Sequence, residues 1–110
     1  MILPGQVYWV SPDAAIGREQ AGRRPAVVVS GVGYVEAVTT LVWVVPVTSV
    51  DRRWDNHVEL AGATGLPTAS FAMTEQLRVI SRERLDGLFG AVDDATLERI
   101  RAWIRDFLVD

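Results

Sequence analysis

The chain is predicted to be mostly β with one C-terminal helix, a small barrel of α+β class occupying residues 1–110 as one domain. Short β-branched and aromatic runs recur along the first eighty residues. A single stretch, near the end, carries apolar residues at helical spacing. With 110 residues the chain is long enough for one core and too short for two.

Residues 5–10, containing Val7, Tyr8, Trp9 and Val10, read as the first strand. Residues 25–30 form a second, nearly continuous apolar run after Pro25, and the loop 11–24 joins the two. Gly31-Val32-Gly33 reads as a turn, because no phosphate-cradling helix pattern follows it. Strand three covers about 38–47, with Pro46 marking an edge or a bulge and Thr48 at its exit. Residues 49–56 are a polar loop, and a short strand begins near His57. One or two strands follow over 69–80, then a helical turn over 81–85. In the last helix Leu97, Ile100, Ile104, Phe107 and Leu108 share a face, Asp93 or Asp94 caps the start, and Val92 staples onto Leu97. Trp9, Trp43 and Trp103 are expected in the core, and the terminus Phe107-Leu108-Val109-Asp110 reads as a packed helix end.

Composition narrows the function classes. No stretch approaches the roughly 18 apolar residues of a membrane span and no secretory leader pattern opens the chain, so a cytoplasmic protein is expected. Cysteine is absent, which excludes disulfides and thiolate metal sites. The net charge of −3 argues against nucleic-acid binding until its distribution is examined. Residues 1–85 hold eight arginines and eight acids, whereas 86–110 hold three arginines and six acids. The acid excess therefore sits in the tail, and the arginines of the loops 17–24 and 49–56 are free to form a local basic patch. Every basic residue is arginine, which codon bias in a GC-rich genome explains more simply than selection for bidentate phosphate contacts.

Gly17-Arg18-Glu19-Gln20-Ala21-Gly22-Arg23-Arg24-Pro25 is the segment richest in chemistry: two glycines make it pliable, and Pro25 holds Arg24 extended at the mouth of a buried strand. Together with Gly5-Gln6-Val7-Tyr8-Trp9, Val45-Pro46-Val47-Thr48-Ser49, His57-Val58-Glu59-Leu60, Gly65-Leu66 and Ala72-Met73-Thr74-Glu75-Gln76-Leu77-Arg78-Val79-Ile80, it resembles the MazF/PemK family of toxins from bacterial toxin–antitoxin pairs. The blocks occur in the family's order over nearly the whole chain.

That resemblance implies an SH3-like, partly open barrel of five to seven strands. It implies a metal-independent endoribonuclease, with no cofactor, cutting single-stranded RNA to 2′,3′-cyclic phosphate and 5′-hydroxyl ends. It also implies a homodimer whose interface forms the RNA groove, and an antitoxin whose acidic C-terminal segment fills that groove. Carried over residue by residue, Arg24 and Thr48 are the catalytic pair, Glu19 a further catalytic residue and Gln76 a neighbour of the RNA. Arg18, Gln20, Arg23, Ser49, Arg52 and Arg53 complete the RNA-binding set, with Arg18, where relatives carry a small residue, bearing on sequence preference.

Only one histidine is present, so a two-histidine acid–base pair within a subunit is impossible. A guanidinium loses its proton only above about pH 12, which makes Arg24 a poor base and leaves Glu19 as the alternative. Asp93-Asp94 reads as a helix cap and not as a metal site. His57 reads as hydrogen-bonded at a strand start, and Trp54 as either a base-stacking or a packing residue. Two rival readings remain: a non-enzymatic toxin of the same fold that poisons DNA gyrase, as the CcdB group does, and a non-toxic SH3-like interaction module.

Overall fold

The computed structural model describes residues 1–12 and 22–109. Seven strands and two helices run in the order β1 Gln6–Val10, β2 Arg24–Val28, α1 Val32–Ala37, β3 Leu41–Thr48, β4 His57–Glu59, β5 Phe71–Met73, β6 Arg78–Ser81, β7 Leu85–Ala91 and α2 Asp94–Val109. All pairings are antiparallel, in the order β4-β5-β3-β2-β1-β7, with β6 also on β3. The mostly β fold with a C-terminal helix is therefore as the sequence predicts. Its outermost strands β4 and β7 do not pair with each other, but the segment just after β4 reaches across: Ala91 N–H donates to Ala63 O at 3.0 Å and Asp93 N–H to Ala61 O at 2.9 Å. No helix among the described residues is long and apolar enough to cross a membrane.

The apolar runs of β2 and β3 are continuous because both faces of the sheet are covered. Val7, Val27, Val45 and Val47 face α2, where Val92, Leu97 and Ile100 complete one core. Ala26, Val28, Val42, Val44 and Ile80 form a second core on the opposite face. Asp93 caps α2 through its Oδ1, which accepts from Thr96 N–H at 2.8 Å. Hydrogen bonding from Thr96, with Arg99 nearby, holds the Asp93 carboxyl below the usual carboxylate range. Arg101 fastens α2 to the end of β2 by donating to Val29 O and Ser30 O.

Pro46 lies in the middle of the sheet and not at its edge. On one side β3 pairs with β2 through Val44–Pro46; on the other it pairs with β6 over Leu41–Val44 and with β5 over Val47–Thr48. Pro46 occupies the switch between those two partners, where the missing N–H breaks no ladder.

Four sequence expectations are corrected. Residues 32–37 form α1 where a turn leading into strand three was expected, and strand three begins at Leu41. Six residues opened by glycine carry no helical signature; α1 is held from outside by the Arg82 guanidinium, which donates to the carbonyls of Val35, Val38 and Leu41. Strand β7 was not anticipated, since Gly87 and Gly90 interrupt its pattern and its pairing with β1 is irregular. Phe107, Leu108 and Val109 are 50%, 77% and 72% exposed, so the end of α2 is not packed. Trp9 is half-buried at a groove and not in the core.

Candidate active site

The register of β2 against β3 assembles the site. Ala26 faces Pro46 and Val28 faces Val44, and continuing that register by two residues sets Arg24 opposite Thr48. Because side chains alternate, Arg24 and Thr48 share one face of the sheet with Ala26 and Val44. Two residues 24 positions apart in sequence thus flank the same end of the β2–β3 pair.

Both line a groove of about 790 Å³, whose floor is Pro25, Pro46 and Val47. Ser49, Val50 and Arg52 form one rim, Met73 and Gln76 another, and Leu66, Pro67 and Phe89 an apolar wall. Arg24 is exposed, and no described residue hydrogen-bonds or ion-pairs with its guanidinium. The Thr48 hydroxyl oxygen accepts from Val50 N–H at 3.1 Å, a local turn bond that uses an acceptor position and leaves the proton to donate into the groove.

The wall carrying Gln76 is stiffened by a polar network. His57 Nε2 lies 3.0 and 3.1 Å from the two Glu75 carboxylate oxygens. Asn56 Nδ2 donates to Glu75 Oε1 at 2.7 Å, and Thr74 Oγ1 donates to Asn56 O at 2.7 Å. Burial pushes the Glu75 carboxyl up, but hydrogen bonds from His57, its own backbone and Asn56, with the charge of His57, outweigh it and hold Glu75 below the ordinary carboxylate value. The network pins the 3₁₀ turn Thr74–Gln76 that presents Gln76 to the groove. The Trp54 ring stacks on the imidazole at 4.8 Å between centroids while remaining half exposed.

Of the residues singled out from sequence, Arg24, Thr48, Ser49, Arg52 and Gln76 come together at this groove. Arg23 sits beside it but is tied to β7: Nη2 donates to Asp86 O at 2.8 Å, Nε lies 3.3 Å from Asp86 Oδ2, and the guanidinium stacks 4.7 Å from the Trp9 ring centroid. Trp9 in turn packs on Phe89 at 4.6 Å. Arg53 does not line the groove; it adopts φ 61°, with its N–H bonded to Asp51 Oδ1 at 2.9 Å. Arg18, Glu19 and Gln20 lie outside the described residues. Sequence reasoning missed Trp9, Arg78 and the wall Leu66–Pro67–Phe89. For Arg78 a signal existed: it sits two residues before the buried Ile80, on the same face.

Comparison with known proteins gives the family and the fold. Residues 3–108 match the model of the PemK-like, MazF-like toxins of type II toxin–antitoxin systems. The chain belongs to this family. Endoribonuclease MazF9 of Mycobacterium tuberculosis is 38% identical over 106 residues, covering 91% of this chain and 90% of the relative. Endoribonuclease EndoA of Bacillus subtilis is 28% identical over 102 residues, covering 91% and 88%. A MazE–MazF crystal structure from Deinococcus radiodurans, 24% identical, superposes with a TM-score of 0.76 over 99% of this chain and 95% of that one. The seven-stranded sheet with its terminal helix is the MazF fold.

Proposed function

We propose that this chain is an endoribonuclease toxin that cleaves single-stranded RNA at a specific sequence, without a metal ion, and is neutralised by a cognate antitoxin. The observation that carries the reading is Arg24, unpaired among the described residues and set across from Thr48 over a cationic groove, in a chain whose relatives are named endoribonucleases. The antitoxin follows from family membership and from the MazE–MazF complex of the structural relative. Its acidic C-terminal segment would occupy the same groove, matched to Arg24 and Arg52 in charge, and a homodimer would extend the groove across two subunits.

In this mechanism the RNA 2′-oxygen attacks the adjacent phosphorus, the bond to the 5′-oxygen breaks, and a 2′,3′-cyclic phosphate and a 5′-hydroxyl result. The attacking hydroxyl loses a proton and the leaving oxygen gains one. Arg24 holds two phosphate oxygens with its fork while the Thr48 hydroxyl donates to another, so both contacts strengthen as negative charge develops. Glu19 accepts the 2′-hydroxyl proton. Gln76, Ser49 and Arg52 position the flanking nucleotides. Growth arrest through loss of messenger RNA is the cellular consequence.

Incubating the purified protein with a mixed-sequence single-stranded RNA in EDTA, beside Arg24→Ala, tests the proposal. Cuts by the wild type alone, at one short motif and ending in cyclic phosphate, support it. No cutting by folded wild type overturns it, and a gyrase assay then decides whether the chain is the other kind of toxin.

A further inference from the structure

Arg78 opens β6, and its register partner is Val44, two residues from Pro46 on β3. The same register pairs Val42 with Ile80, so Arg78 stands on the face that carries Arg24 and Thr48. It lines the groove next to Gln76 and also a second cleft of about 200 Å³, floored by Pro25, Ala26 and Pro46. Arg24 lines both cavities too, making the two spaces one cationic track across the sheet.

The floor between the two arginines is built from Pro25 and Pro46, which have no N–H to offer an anion. Phosphates crossing it depend on side chains. Arg84, at the far wall, already donates its Nε to Ser11 O at 2.7 Å. Arg78 is exposed, and neither a carboxylate nor a carbonyl of a described residue takes its charge. It lies two strands over and four residues along from Arg24, roughly 16 Å between Cα atoms in an unbent sheet, a spacing at which the two guanidinium groups can serve neighbouring phosphates of one strand.

We infer that Arg78 binds a second, non-scissile phosphate of the RNA, carrying the strand from the reaction centre over the Pro25–Pro46 floor. This inference rests on the ribonuclease reading above. Arg78 is a substrate-positioning residue whose effect falls on binding and not on the chemical step.

The test is kinetic, with a single-stranded RNA bearing the mapped cleavage motif and one uncharged methylphosphonate introduced at a time. In the wild type, neutralising one non-scissile phosphate raises KM about tenfold at unchanged kcat, the size of one charge-assisted contact. Arg78→Met, which keeps the aliphatic stem against the cleft, shows the same rise with unmodified RNA, and neutralising that phosphate then adds nothing. Arg78→Lys recovers part of the loss. The slope of log affinity against log salt falls by about 0.7 in Arg78→Met, one phosphate contact to a single strand. A methylphosphonate penalty that persists in Arg78→Met overturns the assignment, as does an unchanged KM and salt slope, or a loss confined to kcat and coupled to the scissile phosphate. A folded wild type that neither cuts nor binds RNA overturns instead the ribonuclease reading on which the assignment stands.

Discussion

Replacing Gly90 by alanine tests how the groove's apolar wall is held. A Cβ at Gly90 would stand 2.2 Å from Ala63 O and 2.8 Å from the carbonyl carbon and oxygen of Thr64. These are backbone atoms, so no side chain can rotate away, and the segment after β4 must leave β7. Its departure breaks the bond from Ala91 N–H to Ala63 O. Overpacking of about 1–3 kcal/mol and a lost hydrogen bond of about 1 kcal/mol give a destabilisation of about 2–4 kcal/mol. For a chain of this size that lowers Tm by about 10–15 °C. Because Leu66 and Pro67 ride on the same segment, RNA binding weakens as well. The control is Gly33→Ala: nothing lies within 4 Å of a Cβ there, the site is helical, and alanine raises Tm by about 2–4 °C. Calorimetry of the three proteins decides the matter. A Gly90→Ala Tm within about 3 °C of wild type, against that shift, would refute the close approach of 61–67 to β7.

Arg24→Ala is expected to lower kcat about 10²–10³-fold, Thr48→Ser to keep most activity, and Arg24→Ala/Thr48→Ala to lose less than the product of the single effects, because both contact one phosphate. Glu75 is held below its ordinary value, so it stabilises the fold above about pH 4.5 and that contribution is lost as pH falls through its folded value; the stability gap between wild type and Glu75→Gln, read by urea titration, should close as pH falls below about 4.5. If Glu19 is the base, the rate rises with pH through the carboxylate range and Glu19→Gln removes that limb; an unchanged rate in Glu19→Gln sinks the assignment. Ile100→Ala, at a position with no exposure, should cost about 2–5 kcal/mol by chemical denaturation.

What the sequence conveyed depended on whether the structural cause was local. Strands β1 to β3 announce themselves through β-branched residues that only a pleated, doubly covered sheet accommodates, and α2 through its period and the Asp93 cap. Helix α1 and strand β7 do not, because their causes are distant: Arg82, more than forty residues away, caps α1, and Gly90 is small so that 61–67 can cross β7. The site divides the same way. Arg24 before Pro25 and Thr48 at a strand exit were legible as motif positions, yet that they face each other follows from the β2–β3 register alone. Arg23, a neighbour in sequence, is turned toward Asp86 and Trp9.

The groove as described stabilises charge but has little with which to move a proton. Its lining among the described residues is guanidinium, hydroxyl, amide and apolar, with no carboxylate and no imidazole. His57 does not fill the gap, since it is buried with Nε2 against Glu75. The proposed chemistry therefore needs a proton acceptor from outside this described lining. Pro12 and Gly22 touch, a Cβ at Gly22 falling 2.5 Å from Pro12 Cγ, and both line the cleft that Arg24 shares. In the proposed mechanism Glu19 supplies that acceptor. Such a division suits a toxin that must be held silent. The sheet fixes Arg24 and Thr48 at the groove, and in the proposed mechanism Glu19 brings the base. An acidic partner of the proposed kind, laid along the groove, would neutralise Arg24 and exclude the RNA phosphate with one contact surface.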